Sequence, residues 1–180
     1  MLVAFLAVAA LGFGGQDPDG LVVTNAAPLE SADTVRYREA VAYANPMPRG
    51  APTADYPLVA WCDALVSGHV AIGESLTNAD PLDLDIIRLG KLEAADFRAA
   101  LSTAAPRQTA ATRAAARAAA AEATARWAPL MVQDEAVRSQ AFGLFFGLPG
   151  RCEHAARRIR EGITTPPATP ADVGLEDPVS

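Results

Sequence analysis

The sequence predicts an all-α protein, a small bundle of about five helices with short connections between residues 58 and 162. Three observations carry that expectation. Hydrophobic residues make up 51% of the 180-residue chain, and 40 of them are alanine, so the core must be built largely from small side chains. Such a core favours helices packed closely, because methyl groups keep interaxial distances short. Bulkier apolar residues recur at helical spacing from Leu58 onward. Prolines and glycines cluster at the ends of those periodic stretches, where chain breaks belong.

Taken in order, residues 1–15 carry no charge, and Met1 to Leu11 is almost unbroken apolar sequence. Small residues follow (Gly12, Gly14, Gly15), then the polar run Gln16-Asp17-Pro18-Asp19-Gly20. This is the order of a secretory signal peptide, cleaved after Ala9, Gly12 or Gly15, although no Lys or Arg precedes the apolar run. At about 11–15 residues the stretch falls short of the roughly 18 needed to span a bilayer. The alternative is that residues 2–15 are retained, either as a buried helix or as a membrane attachment.

Residues 16–57 read as a Pro/Gly-rich arm holding one short helix, Ala32 to Ala44, with Ser31 as its cap. Asn45 to Pro57, with four prolines and Gly50, reads as an extended connector. The compact domain is expected to begin near Leu58. Leu58, Trp61, Cys62, Leu65, Val66, His69, Ile72 and Leu76 share one helical face.

Asp80 before Pro81 signals the next helix start. Leu82, Leu84 and Ile86 alternate with aspartates as in a strand, but Ile87 and Leu89 break the alternation. The segment therefore reads as helix, interrupted at Gly90. Leu92 to Ala105 continues it with Leu92, Phe97 and Leu101 as anchors. Arg107 to Trp127 is helical on propensity alone, because alanine loses no side-chain entropy. Pro129 is expected to stop it. Leu130 to Leu148 forms a further amphipathic stretch, with Leu130, Val137, Ala141, Leu144, Phe145 and Leu148 on one face. Pro149 opens the last helix and Gly162 closes it. Residues 163–180 hold four prolines and few bulky apolar groups, and are expected to be a disordered tail.

Two cysteines in an exported chain suggest a Cys62–Cys152 disulfide, which places the protein in the periplasm or outside the cell. A zinc site built from these cysteines and the two histidines is disfavoured. His154 lies about 200° around its helix from Cys152, which turns it towards solvent beside Arg151, Arg158 and Glu161. No metal or cofactor is implied.

His69 stands on the apolar face between Val66 and Ile72, where a buried imidazole satisfied by backbone is the expected outcome. The competing expectation is a catalytic base in an inter-helix pocket. Asp63, Ser67, Glu74 and Ser75 are badly phased on the same helix to complete a triad with it. No phosphate loop, nucleophile elbow, zinc-protease helix or calcium loop is present.

The net charge of −6 disfavours nucleic acid as a partner. Charge is nevertheless uneven. Residues 107–160 hold nine arginines and four acids, while residues 1–106 and 161–180 are both acidic. Arg151, Arg157, Arg158 and Arg160 crowd one helix and form a candidate docking face for a protein partner. The reading that follows is an exported helical protein with a binding or structural accessory role in a cell envelope. An enzyme using His69, or a membrane-attached interaction protein if the N-terminal segment is kept, are the alternatives.

Overall fold

The computed structural model describes residues 30–145 and 147–175. Residues 1–15, expected to be a signal peptide, and residues 16–28, expected to be part of the arm, lie outside the described residues. Among the described residues there are six α-helices and no strand. These are α1 (Ala32–Ala44), α2 (Asp55–Glu74), α3 (Pro81–Ala104), α4 (Ala110–Met131), α5 (Glu135–Gly143) and α6 (Arg151–Glu161). Five of the six fall in the span where about five were expected.

Helix α2 is the central element, with α4 and α3 packed along it and α6 crossing both α2 and α3. It begins three residues before the expected Leu58. Pro57 does not prevent this, because first-turn N–H groups have no partner inside a helix and a proline there loses nothing. Trp61, Phe97, Leu58 and Val59 fill the main core, and alanines from α3, α4 and α6 close the gaps between them.

Two glycines on α2 show why the packing is tight. A Cβ on Gly68 would lie 2.0 Å from Trp127 Cδ1 of α4, and a Cβ on Gly73 would lie 2.5 Å from Phe142 Cε2 of α5.

Helix α3 starts with a capping box. Asp80 accepts from the Asp83 N–H at 2.9 Å, and Asp83 accepts from the Asp80 N–H at 3.1 Å. The expected interruption at Gly90 does not occur. Gly90 is a point of close approach, where a Cβ would meet Val70 Cγ2 at 2.7 Å, and the helix runs through it. Of the expected anchors, Phe97 is buried and Leu101 half-buried, whereas Leu92 faces solvent at 59% exposure. The inward face uses Ile87, Gly90, Ala94, Phe97 and Ala100 instead.

Helix α4 is capped by Thr109, whose hydroxyl accepts from the Thr112 N–H. It passes Pro129 and ends two residues later, so the proline, which removes the bond to the Ala125 carbonyl and crowds it, acts only on the last turn. The stretch 130–148 is not one helix. It breaks at 132–134, Asp134 caps α5, and the expected face holds in part: Leu130 and Leu148 pack on the core clusters and Phe145 lies against His69, whereas Val137 and Leu144 are exposed and Phe142 is the buried residue of α5. Phe142 builds a second core cluster with Val70, Ile72 and Ile87.

Gly162 closes α6 in the left-handed conformation (φ 70°), and the Ile163 N–H reaches back to the Arg158 carbonyl. Within the expected tail, residues 163–175 follow a described path beside α1, with a short 3-10 turn at Ala171–Val173. Residues 176–180 lie outside the described residues.

Candidate functional site

Cys62 of α2 and Cys152 of α6 are bonded, with their Cα atoms 6.1 Å apart and both side chains buried. Each sits on the apolar face of its helix, so the crossing of α6 over α2 brings the two together. The bond joins positions 90 residues apart.

On the other side of α6 lies the most charged buried region among the described residues. Glu39 (α1) is 6% exposed and Arg158 (α6) 4%. Arg158 donates from Nη1 to Glu39 Oε1 at 3.1 Å and from Nε to Asp55 Oδ2 at 2.9 Å. Arg157 donates to the same Glu39 oxygen at 3.2 Å. Tyr43 donates its hydroxyl to the other Asp55 oxygen at 2.6 Å. Burial raises the Tyr43 phenol above its ordinary range, and the Asp55 carboxylate adds to that, so Tyr43 stays protonated and remains a donor. Arg158 Nη2 reaches the Thr165 carbonyl of the tail, and Arg151 Nη2 reaches the Tyr43 carbonyl with its guanidinium over the Tyr43 ring.

The network ties α1, the start of α2, α6 and the tail into one unit. Beside it runs an open groove of about 690 Å3 between α1, α6 and residues 163–172, walled by Val35, Arg36, Arg157, Glu161 and Asp172.

This arrangement reassigns the candidate docking arginines. Arg158 is buried and neutralised, Arg157 is shared between Glu39 and Glu161, and Arg151 is half-buried against Tyr43. Arg160 keeps substantial exposure and pairs with Asp96 of α3 at 2.8 Å. All four are engaged with groups of this chain, and Arg157 and Arg160 keep exposed surface. His154 is also corrected. It is 5% exposed, because α1 packs over the side of α6 that the wheel assigned to solvent. Burial lowers its pKa, and Nδ1 has no hydrogen-bond partner. Glu39 is absent from the candidates that sequence reasoning supplies, yet it carries a signal: it interrupts the α1 face formed by Val35, Ala42 and Tyr43, and a carboxylate in such a place needs a cation.

His69 lies where expected, 4% exposed on the packed side of α2. Its Nε2 is 3.0 Å from the Phe142 carbonyl, so Nε2 carries the proton. The ring stacks on Phe142 at 4.4 Å, with Phe145 also at 4.4 Å and Trp127 at 6.0 Å. Burial lowers its pKa, partly opposed by the Phe142 bond, and the imidazole is held neutral. Asp63 and Ser67 turn the other way, bonded to each other and to Arg98 of α3. Among the described residues no group of three His, Cys, Asp or Glu side chains is placed to hold a metal ion.

The fold and these sites define a disulfide-linked helical bundle braced by a buried ion network. Comparisons with protein-family models, with curated proteins and with solved structures find no match to this chain. No described helix is long and apolar enough to cross a membrane.

Proposed function

We propose that this chain is an exported, oxidised binding module that serves as an accessory in a cell envelope. The observation that supports it best is the Cys62–Cys152 pair, buried and bonded across two helices, an arrangement suited to an oxidising compartment. The apolar, uncharged order of residues 1–15 agrees with export. Binding is favoured over catalysis because His69 commits its donor to a backbone carbonyl inside three aromatic rings, while Asp63 and Ser67 are engaged with Arg98 elsewhere.

The test is fractionation of cells expressing the full chain, followed by N-terminal sequencing, thiol alkylation and mild crosslinking. The expected result is a chain starting between residues 10 and 16, found in the periplasm or medium, with no alkylatable thiol and with a crosslinked protein partner. An uncleaved cytoplasmic chain carrying two reactive thiols overturns export. A His69→Gln chain of unchanged stability whose phenotype equals a deletion overturns the choice of binding over catalysis.

A further inference from the structure

Both tryptophans of the chain stand beside a cleft that adjoins the aromatic surroundings of His69 and shares Trp127 and Phe145 with them. It opens between α2, the C-terminal half of α4 and the connection that leads into α6, with a volume of about 270 Å3. Leu65, Leu130, Phe145 and Leu148 line it with Trp61 and Trp127. Arg126 is the one ionisable side chain among its described lining residues.

The guanidinium of Arg126 is held in place, 5.3 Å from the centre of the Trp61 ring. It donates to the Arg49 carbonyl and to Glu122, both at 3.0 Å, and both bonds use Nη2. Among the described residues Nε and Nη1 make no hydrogen bond, and as N–H donors they suit a further acceptor. A wall of aromatic and aliphatic groups with a guanidinium over it, one edge of which is paired with Glu122, is complementary to an apolar chain whose anionic end meets the other edge. The volume lies just below the roughly 300–1,000 Å3 of ordinary ligand pockets, which suits a short acyl chain better than a fused ring system.

We propose that this cleft binds a medium-chain carboxylate, with the acyl chain against Trp127, Leu130 and Phe145 and the carboxylate on Arg126. The proposal rests on the reading of this chain as a binding module and names its ligand class. Charge-assisted hydrogen bonding to Arg126 supplies the selection for an anion, and the apolar walls supply affinity without it.

The experiment is a titration of the purified, oxidised protein at neutral pH with octanoate, octan-1-ol and octylammonium, below any micelle concentration, followed by tryptophan fluorescence. The expected result is a saturable change with octanoate, an affinity for it about tenfold or more above that for octan-1-ol, and the weakest response with octylammonium. Arg126→Gln is expected to lower octanoate affinity about tenfold and leave octan-1-ol unchanged.

Absence of a saturable response to octanoate overturns the proposal. So does equal affinity for octanoate and octan-1-ol, or an Arg126→Gln protein that binds octanoate as well as the parent. Should Arg126→Gln fail to fold, the ranking of the three probes on the unaltered protein decides. Because this titration needs no cell and no partner, its failure leaves the crosslinking and fractionation results standing. A cytoplasmic chain would overturn the export reading without touching the titration.

Discussion

Replacing Gly68 by alanine sets two effects against each other, and the structure says which wins. In an isolated helix the change stabilises by about 1 kcal/mol, because glycine loses more backbone entropy than alanine. Here the new methyl would sit 2.0 Å from Trp127 Cδ1, 2.4 Å from Cγ and 2.5 Å from Nε1, well inside contact distance for three atoms of one ring. The indole cannot simply turn in place, since His69 lies 6.0 Å and Phe145 5.7 Å from it. Its retreat runs towards the open cleft and gives up those contacts. Overpacking of this kind costs about 1–3 kcal/mol, and three ring atoms within 2.5 Å put this site in the upper part of that range, about 2–3 kcal/mol, so after the gain of about 1 kcal/mol the net effect is a loss of about 1–2 kcal/mol.

Gly143→Ala provides the control, because no atom lies within 4 Å of the Cβ it would add at the end of α5. That change is expected to stabilise by about 0.4–1 kcal/mol. Urea denaturation of the oxidised proteins, followed by far-UV circular dichroism, measures both. The melting temperature of Gly68→Ala should fall by about 2–8 °C. A Gly68→Ala protein at least as stable as its parent would refute the packing argument, as would a loss of equal size in Gly143→Ala.

Three further outcomes are expected. Replacing Cys62 and Cys152 by alanine opens a 90-residue loop and should lower stability by about 4–5 kcal/mol on chain-entropy grounds; a change under about 1 kcal/mol in a urea series would sink that estimate. Stability should hold above pH 7 and decline as pH falls below about 6.5. His69 and His154 are both held below the ordinary histidine pKa by burial, so the unfolded chain takes up protons there that the fold refuses. His69→Gln should shrink that decline and itself cost about 1–2 kcal/mol, and equal unfolding free energies at pH 5 and pH 7 would contradict the argument. Arg158→Met should cost about 3–5 kcal/mol, because it leaves Glu39 and Asp55 with one cation fewer in a buried place; a thermal melt unchanged from the parent counts against it.

Much of the architecture is legible in the amino-acid sequence alone. Asp80-Pro81 announces α3, Gly162 announces the end of α6, and the breaker-free run from Ala32 to Ala44 marks α1 at both ends. Such features are local: a cap, a left-handed glycine and a run without breakers act over a few residues and need no partner elsewhere in the chain. The cysteine pair is legible too, because each cysteine lies on an apolar face and the faces of α2 and α6 must meet in a small bundle. The burial of His69 follows from its helical face for the same reason.

What the chain does not disclose locally is which elements cover one another. His154 and Arg158 belong by residue type on a solvated face, and they would be there if α6 had neighbours on one side only. Packing of α1 across that side buries both, and Glu39 arrives with it to neutralise the arginines. Leu92 and Leu144 depart from expectation in the opposite way, since their helices present other faces to α2 and leave these side chains in water. Periodicity therefore determines that helices form, and local caps such as Asp80 and Gly162 mark some of their ends, while other ends depart from the periodic pattern. The direction from which each neighbour approaches is decided only by tertiary packing, in which close contacts at Gly68, Gly73 and Gly90 and the pairing of buried charges set the order of the layers.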